Sequence, residues 1–425
     1  MPKGKQKKRN DHTNAKNSLP LPRMDLNAVS DEDSLNDNAS VISTVSSGTV
    51  YDDTNTGDDV SDQNELFEDK LAEAIEGMSE KSAQSRVNSF ESVAAALMKR
   101  FIPDFVNQRR LTISDAIERS LKKGRIDERA AAAQLAALLC LQLGSTDSVD
   151  EICKCLIPSL LLIVNDRSTS PVVRAKCCWA LSLLTFIGNY DDVPIVMDSL
   201  KQIFCQSSSL APSQSAEDVA LYSNALSAWC LLLTVTSNTS LLLSALNDVI
   251  CLLDANSVEI RMAAGEMIAV VLEQLKEYDS SDEWEPDDEL ILKLKELATD
   301  SHKFRAKKDR KTQRSVFRDI IRYVEDGEFP KLQIRFGQEC LSLDTWCRKK
   351  QYDAFRLALG SGLNLHLKDN DLVREILNLG EKLASLPSPL QKQSKLERHL
   401  LNAAACKARN ICRAKYRDKR TISIS

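Results

Sequence analysis

The chain has few of the residues on which enzyme sites and β-rich folds commonly depend. Aromatic residues make up 5% of the 425 positions, and there are only 13 glycines and 12 prolines. So little turn-forming punctuation excludes a β-sandwich, a β-barrel and a collagen-like chain. Only four histidines are present, and no HExxH, CxxC, Walker-type or nucleophile-elbow pattern occurs. We therefore expect a protein that is not an enzyme and uses no metal or cofactor.

Long apolar runs are also missing. A membrane span needs roughly 18 consecutive apolar residues, and the longest candidate, 156–164, is interrupted by Pro158 and Ser159. The basic N-terminus is followed by no apolar segment, so a secretory signal is not expected. We expect a cytoplasmic protein with a nuclear pool and no membrane partner. The cysteines lie mostly inside apolar runs and are predicted to be buried, reduced thiols, as at Cys140, Cys177, Cys178, Cys230 and Cys251.

The net charge of −5 conceals strongly opposed blocks. Residues 1–24 carry +6 and residues 25–69 carry −13, whereas residues 70–300 carry −12 and residues 301–425 carry +14. Sign asymmetry of this kind indicates a charged partner. The basic block at the end of the chain makes a polyanion the expected partner.

A repeat with a period near 44 residues organises the middle of the chain. A polar turn, then an Arg that leads into an Ala- and Leu-rich helix, occurs at Arg86, Arg129, Arg174 and Arg261. A further unit without its Arg is expected near residue 218. This period matches the 40–47 residues of armadillo and HEAT repeats, whose helices bury their apolar faces by stacking. We expect each Arg to pair with acidic residues of the adjacent unit.

The predicted fold class is all-α: an armadillo- or HEAT-like α-solenoid followed by a small, mostly helical domain and a basic terminal helix. Residues 1–62, which are rich in Ser, Thr, Asn and Asp, are predicted to be a disordered acidic tail. The solenoid is assigned to 63–300 and the small domain to 301–390, where short extended pieces are expected within "FPKLQIRFGQECLSLDTW". The basic helix and tail occupy 391–425.

Two basic segments stand out in the C-terminal block. The first, "KFRAKKDRKTQR", leads into an amphipathic helix and contributes Lys303, Arg305, Lys307, Lys308, Arg310, Lys311 and Arg314. The second spans 392–420 and has ten basic residues against Glu397 and Asp418. Ser394 and Glu397 have capping-box spacing, which predicts a helix start. Beyond Ile411 charge nearly surrounds this helix, so it gains little by packing on its own protein.

A basic helix of this kind has three interpretations: a solvated tail, a nuclear import signal or a nucleic-acid contact. The last is favoured because each phosphate that Lys or Arg neutralises releases counterions and adds affinity. The small apolar stripe lacks Trp and Phe, which disfavours membrane binding. Few aromatic residues interleave with the basic ones, which favours structured RNA over single-stranded stacking.

Three segments resemble the interferon-related developmental regulator family. They are "RRLTISDAIERSLKKGRIDERAAAAQLAALLCLQLG" from Arg109, "HKFRAKKDRKTQRSVFRDIIRYVEDGEFP" from His302 and "KLERHLLNAAACKARNICRAKYRDKR" from Lys395. The resemblance covers about 65–420. It implies an armadillo-like region, a family-specific C-terminal domain and no enzyme activity. It also implies either transcriptional co-regulation in differentiation or ribosome binding, with the terminal helix placed in an RNA channel. If the second role carries over, the contacts would be Lys407, Arg409, Arg413, Lys415, Arg417, Lys419 and Arg420.

The leading hypothesis is a non-enzymatic regulator that binds the ribosome and its RNA through the basic terminal helix and represses translation. In that hypothesis the solenoid docks on protein or rRNA surfaces. The alternative is a nuclear adaptor that recruits co-repressor complexes through the solenoid, with basic runs at 3–9 and 305–311 as import signals. The sequence favours no particular oligomeric state.

Overall fold

The computed structural model describes residues 58–188, 193–205, 214–236, 238–278, 286–299, 307–382 and 407. Residues 1–57 of the predicted acidic tail therefore lie outside the described residues, whereas 58–62 are helical, so the predicted end of the tail at 62 is wrong. The first eleven helices are α1 (Asp58–Gly77), α2 (Ala83–Lys99), α3 (Pro103–Lys123), α4 (Ile126–Leu143), α5 (Asp147–Asn165), α6 (Pro171–Ile187), α7 (Val193–Phe204), α8 (Ala216–Leu233), α9 (Thr239–Ile250), α10 (Val258–Tyr278) and α11 (Asp288–Thr299). They are followed by α12 (Lys307–Asp326), β1 (Leu332–Phe336), β2 (Glu339–Leu343), α13 (Trp346–Leu359), α14 (Leu363–Asp369) and α15 (Asp371–Ile376).

The helices stack as consecutive pairs in two layers, which confirms the predicted α-solenoid. Each even-numbered helix from α2 to α12 packs against its odd-numbered predecessor, and those from α2 to α10 also pack against the next even-numbered helix. The second helices of the pairs begin at 83, 126, 171, 216, 258 and 307, so the spacing stays close to the predicted 44 residues. The unit expected near 218 is present as α8. The boundary predicted at 300 between the solenoid and the small domain falls between α11 and α12. These two helices pack together as the sixth pair of the solenoid.

Local sequence fixes where several of these helices begin. Ser82 and Ser215 cap α2 and α8, where their side chains accept hydrogen bonds from the backbone N–H groups of Ser85 and Asp218. Proline occupies the first turn of α3 and of α6. Its fixed φ suits the helix, and its missing N–H would have no partner there. The helices of successive units therefore begin at nearly constant intervals because their capping residues recur in the sequence.

The repeated arginines form hydrogen bonds that connect neighbouring helices of the solenoid. Arg86 donates two 2.8 Å hydrogen bonds to the Glu128 carboxylate on α4, so the predicted acidic partner in the adjacent unit is confirmed there. The Arg86 guanidinium holds the pKa of Glu128 below its usual range. Arg174 instead donates from Nε to the Val164 carbonyl at 3.0 Å. The acidic partner predicted for Arg174 is therefore wrong, because the end of the preceding helix already offers a carbonyl acceptor.

Two buried glutamines repeat as well, three periods apart. Gln142 donates to the carbonyls of Leu97 and Arg100 at the end of α2, at 2.7 and 2.6 Å. Gln274 donates to two carbonyls at the end of α8, at 2.7 and 3.2 Å. The last carbonyls of a helix have no partner within the helix. Each glutamine therefore stabilises the C-terminus of the neighbouring second-layer helix.

Residues 346–377, termed the crossing segment, run back over the second layer. Helix α13 contacts α2, α4, α8 and α10. The Glu273 carboxylate of α10 accepts the backbone N–H groups of Trp346 and Cys347, both at 2.7 Å, and thereby caps the start of α13. Burial raises the pKa of Glu273. Further along α13, the buried Lys350 donates to the Ser227 hydroxyl at 2.6 Å.

The end of the crossing segment is hydrogen-bonded to two helix termini. His366 is fully buried, with Nε2 3.1 Å from the Leu97 carbonyl and Nδ1 3.2 Å from the Asn370 amide nitrogen. Asn370 also donates to the Leu141 carbonyl at 2.8 Å. Gly362 lies so close to α2 that a Cβ there would be 1.7 Å from the Met98 carbonyl oxygen. This part of the chain is therefore packed directly on the solenoid.

The extended pieces predicted before α13 form a two-stranded antiparallel hairpin, β1–β2, with Leu332 opposite Leu343. Gly337 in the turn has φ +56°, a conformation that glycine adopts at little cost. Across the described ranges, no helix is long and apolar enough to cross a membrane. Cys251 is exposed at the start of a short 3₁₀ turn, so its predicted burial is wrong. Cys140, Cys177, Cys178 and Cys230 are buried as predicted.

Candidate RNA-binding surface

The first predicted basic segment continues into α12, a strongly amphipathic helix. Phe317, Ile320 and Tyr323 are buried on the side of α12 that packs against α10 and α11. Gly265 of α10 permits the close approach, since a Cβ at that position would be 2.7 Å from Phe317 Cε1. The opposite side of α12 consequently faces solvent in a fixed orientation.

The beginning of α12 is held by a polar contact from the preceding pair. Arg261 donates from Nη2 and Nε to the Gln313 side-chain oxygen at 2.6 and 3.2 Å. Gln313 in turn donates to the Leu297 carbonyl at 3.3 Å. Because all three residues are buried, these contacts fix the first turns of α12, which carry the basic residues.

The solvent-facing side of α12 is cationic. Lys308 and Lys311 are exposed, and Arg310 and Arg314 are half-buried. In the part of the chain that the structure describes, Lys308 and Lys311 form no ion pair. Lys307 starts the helix, and its side chain lies outside the description. Lys303 and Arg305 lie wholly outside the described residues. The structure therefore places only part of the basic set predicted for the first segment.

Two further arginines of this surface were not predicted. Arg318 and Arg322 are exposed on α12 and continue the series from Arg314 at intervals of four residues, which places them on one side of a helix. Arg322 lies 4.0 Å from the Asp319 carboxylate, whose pKa burial raises. The spacing of four could have revealed these arginines, but the basic run was read as ending at Arg314.

The position of this charge within α12 is unfavourable for the isolated helix. A helix N-terminus carries a partial positive charge, so lysines and arginines in the first turns are repelled by it. A bound anion would reverse that repulsion, because the backbone N–H groups and the side chains would then attract the same ligand. The charge therefore does not stabilise the helix end and is suited to binding phosphate groups.

The second basic segment lies almost wholly outside the described residues. Of its seven predicted contacts the structure describes Lys407, which is helical and exposed. The other six are Arg409, Arg413, Lys415, Arg417, Lys419 and Arg420.

Arg374 fixes the point at which the chain leaves the crossing segment toward the second basic segment. It is buried and makes a two-pronged ion pair with Glu339 of β2, with distances of 3.1 and 2.7 Å. It also donates to the carbonyls of Leu367, Gly380 and Glu381 at 2.8, 3.3 and 3.0 Å. One buried guanidinium thus joins the hairpin, the crossing segment and the start of the outgoing chain.

Comparison with known proteins identifies the family. A family model described as interferon-related developmental regulator matches residues 38–325, and one described as interferon-related protein conserved region matches residues 370–421. The chain belongs to the interferon-related developmental regulator family. The resemblance inferred from the sequence is thereby confirmed, and the second match spans both Arg374 and the second basic segment.

Relatives in this family cover most of the chain. Interferon-related developmental regulator 2 of Mus musculus is 39% identical over 373 residues, which cover 85% of each protein. Interferon-related developmental regulator 1 of Homo sapiens is 38% identical over 378 residues, 86% of this chain and 84% of its own length. A designed armadillo repeat protein, YIII(Dq)4CqI, covers 59% of this chain and 99% of its own, with 12% identity and a TM-score of 0.37.

The family and the stacked-helix fold are of a regulatory and scaffolding kind. Solenoids present extended surfaces on which partners dock. Within the described ranges, no group of three His, Cys, Asp or Glu side chains is placed to hold a metal ion. The cationic side of α12 is a surface of this kind, and it contains four of the basic residues predicted from the sequence.

Proposed function

We propose that this family member is a non-enzymatic regulator that binds ribosomal RNA and represses translation. The observation that carries the proposal is the cationic side of α12, where Lys308 and Lys311 form no ion pair with the described residues and the helix is anchored by its buried apolar side. Each phosphate that such residues neutralise releases counterions, and Arg provides a planar fork that matches phosphate geometry.

The basic segment 392–420 supplies the second and stronger contact in this proposal. It would enter an RNA-lined site on the ribosome and occlude it, while the solenoid docks on neighbouring protein or rRNA. Its ten basic residues against two acidic ones support a polyanionic partner. The end of this segment is charged on nearly all sides as a helix, so it would gain little by packing on an apolar surface of its own protein.

Co-sedimentation of the full-length chain with ribosomes tests the proposal. At physiological salt, deletion of 392–425 is expected to abolish co-sedimentation, and unchanged sedimentation would refute the proposed contact. A triple variant of α12, Lys308→Glu, Lys311→Glu and Arg318→Glu, should weaken binding and reduce its salt dependence by roughly one unit of slope per lost phosphate contact.

A matched control separates phosphate contact from a general effect of charge. Lys70, Lys81 and Lys154 are exposed on or between helices of the N-terminal half, and their conversion to Glu changes the net charge equally. This control should keep most of the affinity. Crosslinking followed by identification of the bound RNA distinguishes direct rRNA contact from recruitment by protein alone. Recovery with chromatin and without RNA would favour the nuclear co-regulator instead.

A further inference from the structure

The groove between α9 and α11, on the first layer of the solenoid, is the strongest remaining surface feature. It has a volume of about 600 Å³, within the range of ligand-binding clefts. Leu246 and Leu290 form its buried floor, with 6% and 4% of their surfaces exposed. Leu243 and Leu292 stand at its edges with 37% and 60% exposed. The groove therefore offers apolar surface that the described chain does not cover.

The rim of this groove is acidic. Asp254, Asp287, Glu289 and Glu296 line it against a single cation, Lys293. Lys293 pairs with Asp254, so that charge is already matched. The other three carboxylates are exposed and form no ion pair with the described residues.

We infer that this groove binds a lysine- and arginine-rich amphipathic helix of a partner protein. The exposed leucines need apolar side chains to cover them, and helices dock in such grooves through residues three and four apart. The carboxylates on the rim need cations on the flanks of that helix. An RNA ligand is excluded here because its phosphates would be repelled. This surface is thus distinct from α12 and carries the opposite charge.

The test uses the full-length chain and a fluorescein-labelled model helix, LKKLLKLLKKLLKL, followed by fluorescence anisotropy. We expect saturable binding that weakens as salt rises, because salt screens exposed charges. Leu292→Ser should weaken binding by about tenfold, since it removes one apolar contact without changing the charge of the rim. The control is Leu162→Ser on α5, where a leucine with 72% exposure lies outside the groove. It should leave the affinity unchanged.

A charge exchange keeps the test informative if a variant folds poorly. Glu289→Lys combined with Glu296→Lys should lose the basic helix and gain the acidic counterpart, LEELLELLEELLEL, which a misfolded protein would not do selectively. Equal binding of a scrambled peptide, or equal loss from Leu162→Ser, would overturn the inference. Binding that requires deletion of 279–285 would also overturn it, because that segment would then be the occupant.

Discussion

Replacement of Gly362 by Ala is expected to detach the end of the crossing segment from the solenoid. The added Cβ would lie 1.7 Å from the Met98 carbonyl oxygen and 2.6 Å from its carbonyl carbon. Backbone atoms near the end of a buried helix cannot rotate away as a flexible side chain can. Ordinary contact would require the segment to move by roughly 1.5–2 Å.

Such a displacement would break the contacts that hold the segment. The His366 Nε2 to Leu97 carbonyl distance of 3.1 Å and the Asn370 to Leu141 carbonyl distance of 2.8 Å would both exceed hydrogen-bonding range. Overpacking costs about 1–3 kcal/mol, and each buried polar group left unpaired costs about 1–3 kcal/mol more. We expect the docking of residues 363–377 to weaken by about 3–9 kcal/mol, and by no more than the free energy with which the segment docks on the solenoid.

Hydrogen exchange of residues 363–377 and urea unfolding would measure this effect. Exchange in that range should accelerate strongly, while exchange in α6 and α8 should change little. Ser361→Ala is the control, because Ser361 is adjacent and exposed. If Gly362→Ala exchanged and unfolded like Ser361→Ala, the close packing inferred for the crossing segment would be refuted.

Three further predictions concern single contacts. Gly265→Ala should lower the free energy of unfolding by about 1–2 kcal/mol, because the clash with the buried Phe317 ring exceeds the gain of about 1 kcal/mol in helix propensity; a higher urea midpoint would contradict this. Burial lowers the pKa of His366 below 6.5, so the folded state disfavours its protonation. The free energy of unfolding should be constant above about pH 6.5, fall as the pH drops below it and level off below the pKa of the folded state. Urea midpoints at several pH values measure this dependence. If His366→Asn showed the same pH dependence, His366 would be excluded as the cause. Arg374→Gln should cost about 3 kcal/mol, because it leaves the partly buried Glu339 carboxylate without its partner and frees the backbone carbonyls that Arg374 binds. Adding Glu339→Gln should recover only the part of that loss that belongs to the ion pair, as a double-mutant cycle would measure. Additive effects would rule out the coupling.

The repeat architecture could be predicted because each unit repeats its own local signals. A polar turn, an Arg and an Ala-rich helix recur within windows that a single helix pair occupies. The arginine series therefore located α2, α4, α6 and α10, and the arithmetic of the period located α8. The hairpin was also accessible, since the alternation of apolar residues around 332–343 is a local pattern.

The crossing segment could not be predicted because its contacts have no local signature. His366 meets a carbonyl 269 residues earlier in the chain, and Glu273 caps a helix that begins 73 residues later. A histidine or glutamate in an ordinary helical pattern does not reveal such a partner. The candidate RNA-binding surface could be predicted only in part, because the packing of α12 also depends on residues distant in the sequence. Charge density along the chain revealed Lys308 and Lys311, but not which side of α12 would be free.

The carbonyl contacts of Arg374 give the basic segment a fixed origin. From Lys382 to Lys392 the chain can span at most about 35 Å, whatever its conformation. The second basic segment therefore begins within that distance of one point of the fold. If the cationic side of α12 touches RNA first, that tether raises the local concentration of the second contact. Two weak contacts can then act as one strong one. Replacing Arg374 would free the start of this tether and weaken the avidity without altering either basic segment.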